Sequence, residues 1–399
     1  LIRVQAMAAR PRVVEAGLWL FGASLPVSIA GANIGWAVAA AGLVLCAWER
    51  VPVVWKAWRG GLALPLGVFL AAAAAAALFG SAPYHTLENL QKDAHKLWVY
   101  ALLSTAFTVV PPGRPIRAFA AGTAAAAVYG IVQWLGGLGH PALVPRAHAW
   151  LHPVTFGEQM AVAFCGAACW LADPANRTRL SWGFAALTGA ALVMSNTRGA
   201  LAAAAAGLFA VSLLVPRLRR AAAASGLLAV AALLAADLLA PQRSLILTLL
   251  GRGHDVTTAS QGQFGRIYLW KAAWAMGWDN PVFGTGLGGF RLSLPAYVPP
   301  GTVFDGGETR VGHAHNLYLN HFAERGLVGL AALAWLLWVF AVRAARRALK
   351  IGDPLALWGL AATASFLVMN VTEAALNVEL VWMLALFVWT ASEAEARSS

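Results

Sequence analysis

The side chains in this sequence with the greatest chemical reach are a few arginines and histidines set at the ends of apolar segments. Arg198 stands in Ser195-Asn-Thr-Arg-Gly199, a short turn between two such segments. An arginine beside a membrane core needs a partner or a task. Its rigid fork of donors matches phosphate oxygens, which makes an anion clamp one reading. A cation reaching out to lipid headgroups is the other. Arg266, at the start of Phe264-Gly-Arg-Ile-Tyr-Leu-Trp270, carries the same two readings, as does Arg146 ahead of Leu151-His-Pro-Val-Thr-Phe-Gly157. Arg291 follows the run Asn280-Pro-Val-Phe-Gly-Thr-Gly-Leu-Gly-Gly289. That run lacks the Lys-Ser/Thr of a nucleotide-binding loop and reads as a glycine-rich turn.

The histidines cluster in Gly312-His-Ala-His-Asn-Leu-Tyr-Leu-Asn-His-Phe-Ala-Glu-Arg-Gly326. The apolar spacing after His315 predicts a helix, with His315 at its N-terminus. The helix dipole disfavours an imidazolium there, and nearby arginines push the same way. A neutral imidazole is what a general base requires. Glu324 lies about half a rotation further round that helix, so it cannot orient His315 and reads as a helix-end ion pair or polar packing contact. His313, Asn316 and Tyr318 are candidates for positioning substrate, with Arg146, Arg291 and Trp270. His313 and His321 read equally well as polar interface residues. The spacing of His313, His315 and His321 does not line one helical face, and no carboxylate pair or cysteine cluster completes a shell. Neither a metal nor another cofactor is expected.

These residues need elements to hold them, and the composition says which kind. Of 399 residues, 60% are hydrophobic and 12% charged, about half the charge of an ordinary soluble chain. That excludes disorder, collagen and a disulfide scaffold, and points to an all-α polytopic membrane protein. Apolar stretches near the 20 residues that cross a bilayer occur at about 13–30, 32–48, 61–80, 97–110, 118–138, 154–172, 180–194, 201–215, 221–240, 326–342, 355–370 and 378–392. The expected fold therefore has about 12 transmembrane helices. Residues 1–240 hold spans one to nine, 241–325 one large helical outer loop, and 326–399 spans ten to twelve with a tail. The alanine runs 71–77 and 202–206 are helix filler. Cys46, Cys165 and Cys169 fall inside spans and read as buried thiols. No small-residue cleavage pattern follows the first apolar stretch, which reads as a retained helix.

The net charge of +12 would suggest nucleic acid in a soluble protein. With the N-terminus placed in the cytoplasm, every short basic turn falls on the same side, including Arg217, Arg219, Arg220, Arg343, Arg346 and Arg347. The whole excess of positive charge lies inside and the outer face is balanced, as the positive-inside rule requires. No nucleic-acid partner is implied. All nine histidines fall outside, so the titratable chemistry is expected on the outer face. Trp270, Trp274 and Trp278 recur every four residues with Arg266 and Lys271 among them. That pattern suits a helix at headgroup level with its aromatic side toward membrane lipids.

Four segments together resemble the bacterial O-antigen ligase and polymerase family, membrane glycosyltransferases of the type-C fold class. They are Ser195–Gly199, Arg266 with Trp270 and the Asn280-Pro…Gly284-x-Gly286 run, His315-Asn316…Leu319…Glu324-x-Gly326, and more loosely Leu151–Gly157. The large loop directly before span ten is closest to the ligase branch. The resemblance implies an undecaprenyl-pyrophosphate-linked O-antigen as donor and lipid A–core as acceptor, at the periplasmic face of the inner membrane with both termini cytoplasmic. It implies His315 as the base, and Arg198 and Arg266 as stabilisers of the leaving pyrophosphate. A repeat-unit polymerase or a protein O-oligosaccharyltransferase would share that donor. A transporter is the alternative of another class; it predicts internal repeats and charges at mid-membrane, neither of which is evident.

Overall fold

The computed structural model describes residues 2–46, 61–137, 146–220, most of 222–231, 263–300, 302 and 311–394. Most of the expected ninth span, loop residues 241–262, the side chain of Cys46, and His140 and His254 lie outside the described residues. The chain is a helical membrane protein: the described residues hold helices, turns and no strand. Its helices are α1 (Ile2–Ser24), α2 (Ile29–Cys46), α3 (Ala63–Phe79), α4 (Thr86–Ala106), α5 (Gly113–Leu135), α6 (Pro153–Ala172), α7 (Arg179–Met194), α8 (Arg198–Ser212), α9 (Gln263–Asp279), α10 (Gly289–Ser293), α11 (Leu317–Ile351), α12 (Pro354–Thr372) and α13 (Glu379–Ala394). Among the described residues, α5, α6, α11 and α12 are long and apolar enough to cross a membrane, and Ile29–Val44, α3, α7 and α8 are shorter apolar helices.

Helix α13 is the core. Leu380 through Ser392 are all buried, so a helix apolar all round is covered by protein on every side. Trp389 stacks on Phe340 of α11 with ring centroids 5.5 Å apart, and Phe387 meets Phe21 of α1 at 5.9 Å. Around this helix α12 packs on α6, α8 and α11, and α4 packs on α3 and α13. Caps set the boundaries. Asp353 accepts from Ala356 N at 2.6 Å ahead of Pro354, and Thr178 accepts from Ser181 N at 3.1 Å; each satisfies an amide that a helix start leaves orphaned.

Two elements differ from their hydropathy outline. The expected span 97–110 is the second half of α4, which begins at Thr86. Its first turns carry Glu88, Lys92, Asp93 and Lys96, paired at helical spacing with Lys92–Glu88 at 2.7 Å and Lys96–Asp93 at 2.9 Å. Those charges hide the helix from a hydropathy window, while i,i+3 and i,i+4 pairing supports it. The expected tenth span begins earlier too, at Leu317, and is broken at Gly326, whose φ of 60° and ψ of −159° are not helical.

The glycine-rich turn explains that break. Leu327 N donates to Pro281 O at 2.7 Å, while Thr285 N and Gly286 N donate to Ala323 O and Glu324 O at 2.8 and 2.9 Å. The turn thus supplies backbone partners that the helix forgoes at the kink, as buried amides and carbonyls require. A Cβ on Gly326 would lie 2.4 Å from the Val282 carbonyl, so only glycine allows this approach. The outcome is a separate segment, 317–325, that carries the histidine cluster. Across it lies α9, with Leu269, Ala272, Ala273 and Met276 buried and Trp274 and Trp278 exposed. Trp270 is half-buried, because a four-residue step overshoots the helical turn by about 40° each time. The exposed aromatic side is therefore Trp274 and Trp278.

Candidate active site

His315 precedes α11 in the left-handed backbone region, with φ 48°, a conformation that costs a non-glycine residue about 1–3 kcal/mol. Its neighbours hold it there. Asn316 accepts from Leu319 N at 3.0 Å as the helix cap, and its amide donates to Val371 O at 2.9 Å. Tyr318 Oη donates to Leu367 O at 3.0 Å. Two of the expected substrate contacts are thus fastened to α12, where they pin the start of α11 against the end of that helix. His315 N also donates to His313 Nδ1 at 3.1 Å.

The end of α12 supplies the residue that the sequence reading missed. Glu373 caps its C-terminus and sets Oε2 at 2.9 Å from His315 Nδ1. Burial raises the Glu373 pKa, but the His315 hydrogen bond and the Arg266 charge outweigh it, leaving the carboxyl below its usual range. An ionised carboxylate needs a donor, so Nδ1–H points at Glu373 and Nε2 is the ring nitrogen left to face a substrate. The Glu373 side chain is 14% exposed and that of His315 31%, so the orienting group is sheltered and the imidazole open. One signal for Glu373 exists in the sequence: it is the sole ionisable residue in the segment 371–377 between two apolar stretches.

Arg266 grips the same corner from α9. Its Nη1 donates to Thr372 O at 2.7 Å and its Nη2 to Glu373 Oε1. Its side chain remains 32% exposed. Arg146 donates from Nε to Ser195 O at 3.0 Å and from Nη2 to Thr197 Oγ1 at 2.8 Å. These bonds lock the turn whose Asn196 has φ 48°. Burial, and secondarily the nearby Arg266, lower the Arg146 pKa against the pull of Glu373. Arg146 is therefore electrostatically part of this neighbourhood, though its bonds go to the turn. Arg198, half-buried, opens α8. The next residue, Gly199, lies so close to Thr372 that a Cβ would meet its Oγ1 at 2.4 Å. The turn and the Thr372–Glu373 corner are in direct contact.

Thus His315 and Arg266 meet on Glu373, His313 lies tilted against His315 with ring centroids 4.3 Å apart, and the Arg146–Arg198 turn abuts them. Burial first, then His315, lowers the His313 pKa to about 4, so this ring is neutral. Trp270 sits one turn beyond Arg266 on α9, with its indole Nε1 buried and, among the described residues, without a hydrogen-bond acceptor. Arg291 stands apart, exposed on α10. Glu324 accepts from Phe290 N at 3.4 Å and from Asn320 Nδ2 at 3.2 Å, a polar packing role away from His315.

An imidazole oriented by a carboxylate, beside a guanidinium held by the same carboxylate, is suited to removing a proton next to an anion. Residues 183–334 match the family model described as O-antigen ligase. The matched stretch includes Arg198, Arg266, His313 and His315 and ends before Glu373. No curated protein matches the chain.

Proposed function

With membership of the O-antigen ligase family as the premise, supported by the match over residues 183–334, we propose that this chain transfers a polysaccharide from undecaprenyl pyrophosphate to a sugar hydroxyl of lipid A–core. The observation that carries the reading is the convergence of His315 and Arg266 on the two oxygens of Glu373. Glu373 holds Nδ1–H, and Nε2 of His315 takes the proton of the acceptor hydroxyl. The oxygen's electron pair bonds to the anomeric carbon of the donor. The bond from that carbon to the pyrophosphate oxygen breaks, and its electrons leave with undecaprenyl pyrophosphate. Attack opposite the leaving group inverts the anomeric configuration. Arg266 and Arg198 stabilise the growing pyrophosphate charge, the task a divalent ion performs in many glycosyltransferases. Arg146 holds the turn that presents Arg198. Trp270 and the exposed aromatic side of α9 face the lipid portion of the donor, and His313, Asn316, Tyr318 and Arg291 position the glycans or the elements around them.

The reaction is placed at the periplasmic face of a bacterial inner membrane. The chain crosses about 12 times, keeps residues 241–325 outside and has both termini in the cytoplasm. This orientation rests on the basic turns gathered on one side. A polymerase and a protein O-oligosaccharyltransferase use the same class of donor, so the acceptor separates them. Purified protein given one lipid-linked glycan, with lipid A–core, a lipid-linked repeat unit and a pilin-like protein in parallel, should modify lipid A–core alone. A lengthened lipid-linked chain or a glycosylated protein would contradict the ligase reading.

A further inference from the structure

A second histidine–glutamate pair, His95 with Glu379, has its glutamate at the far end of the connection that begins at Glu373. Glu379 follows Glu373 by six residues, which limits their separation to about 20 Å of chain. The connection is stiff: Leu376 N donates to Asn370 Oδ1 at 3.0 Å and Asn377 N to Ala374 O at 2.7 Å. Glu379 opens α13, and its Oε1 accepts from Asn33 Nδ2 of α2 at 3.2 Å. The same oxygen faces His95 Nδ1 of α4 at 3.6 Å, which is too long for a hydrogen bond. The His95 ring sits edge-on to Trp36 at 6.2 Å and to Trp382 at 5.4 Å. Two indoles therefore wall a cluster of one carboxylate, one amide and one imidazole, drawn from three helices.

The cluster is open and incompletely satisfied. His95 and Glu379 side chains are 30% and 32% exposed. Among the described residues, Trp36 Nε1 is buried without a hydrogen-bond partner, and Asn33 donates to only one oxygen of Glu379. A carboxylate at the centre repels phosphate and welcomes hydroxyl donors. Amide and imidazole groups give and take hydrogen bonds with hydroxyls, and the partly exposed indole of Trp36 offers an apolar wall to C–H faces, with the buried Trp382 backing His95. That chemistry fits an uncharged sugar.

We propose that Asn33, His95 and Glu379, walled by Trp36 and Trp382, form a second subsite that binds the acceptor glycan through its hydroxyls. The side is argued from the helices. The arginines ride on α8 and α9, which pack on α12 and α11, whereas this cluster is built by α2, α4 and α13, which pack on one another. The charged donor group is held at the first set, which leaves the second to the acceptor. This assignment rests on the transferase reading; the sugar-binding chemistry of the cluster does not.

The test uses full-length protein in nanodiscs and a phosphate-free oligosaccharide cut from lipid A–core. Direct binding of the labelled oligosaccharide, measured without donor, should be weakened by Glu379→Gln and by Asn33→Ala. In the transfer assay both variants should raise the acceptor KM about 10- to 100-fold, the loss of hydrogen bonds to a charged group. The donor KM and the kcat at saturating acceptor should stay unchanged. An unchanged acceptor KM, a raised donor KM, or a lowered kcat at constant KM would each overturn the subsite. Wild-type protein that binds the oligosaccharide but transfers nothing would instead overturn the proposed function and leave the subsite standing.

Discussion

Glu373 gives one oxygen to His315 and the other to Arg266, so replacing its charge while keeping its shape separates orientation from electrostatics. Glu373→Gln should lower kcat/KM by about 10²–10⁴, the range of general-base assistance. The acceptor KM should change little, and a rate near wild type would show that the carboxylate does not serve the imidazole. His313 makes a second residue-scale prediction, through stability. Its folded pKa is lowered from 6.5 to about 4, so between those values the unfolded chain binds a proton that the folded chain refuses. Stability then falls as pH drops through that window, by at most roughly 1.4 kcal/mol per pH unit. It levels off below the folded value. The apparent melting temperature should decline from pH 6.5 to 4, and His313→Gln should flatten the decline; an equal slope in both proteins would refute this.

At the scale of elements, the position of His315 depends on the break at Gly326. Helical periodicity made the helix after His315 legible, and hydropathy made the span after Gly326 legible. Neither signal could reveal that one helix contains both and kinks between them. That depends on backbone bonds to residues 281–286, which are remote in sequence. The glycine-rich turn was readable as a turn, but its partner was not. Gly326→Ala would add a Cβ 2.4 Å from the Val282 carbonyl at a φ of 60°. It should cost at least about 2 kcal/mol and release the 317–325 segment from its seat. A thermal unfolding scan that matched wild type would contradict this account of the kink. Glu373 escaped notice for a related reason: no helical spacing links it to His315, and only the packing of α12 against α11 brings the two together. Asn316 and Tyr318 show the converse, since their polar groups looked available and are engaged with α12.

At the scale of the whole molecule, hydropathy carries the helical membrane protein, and basic-turn placement carries the expectation that its chemistry lies on one face. Neither signal shows which of the candidate residues meet. Three of those residues, Arg266, His315 and Glu373, come from distant parts of the chain and join on one corner, and the Arg198 turn packs beside them. The central claim is that this corner transfers a glycan from lipid pyrophosphate with His315 as base and arginines in place of a metal. It is tested most directly by single-turnover transfer from a synthetic undecaprenyl-pyrophosphate glycan to lipid A–core, with purified protein and excess EDTA. Wild-type protein should transfer at an undiminished rate and with inverted configuration, and His315→Ala should lose about 10²–10⁴ in rate. Transfer by His315→Ala near the wild-type rate, or wild-type transfer abolished by EDTA and restored by a divalent ion, would contradict it.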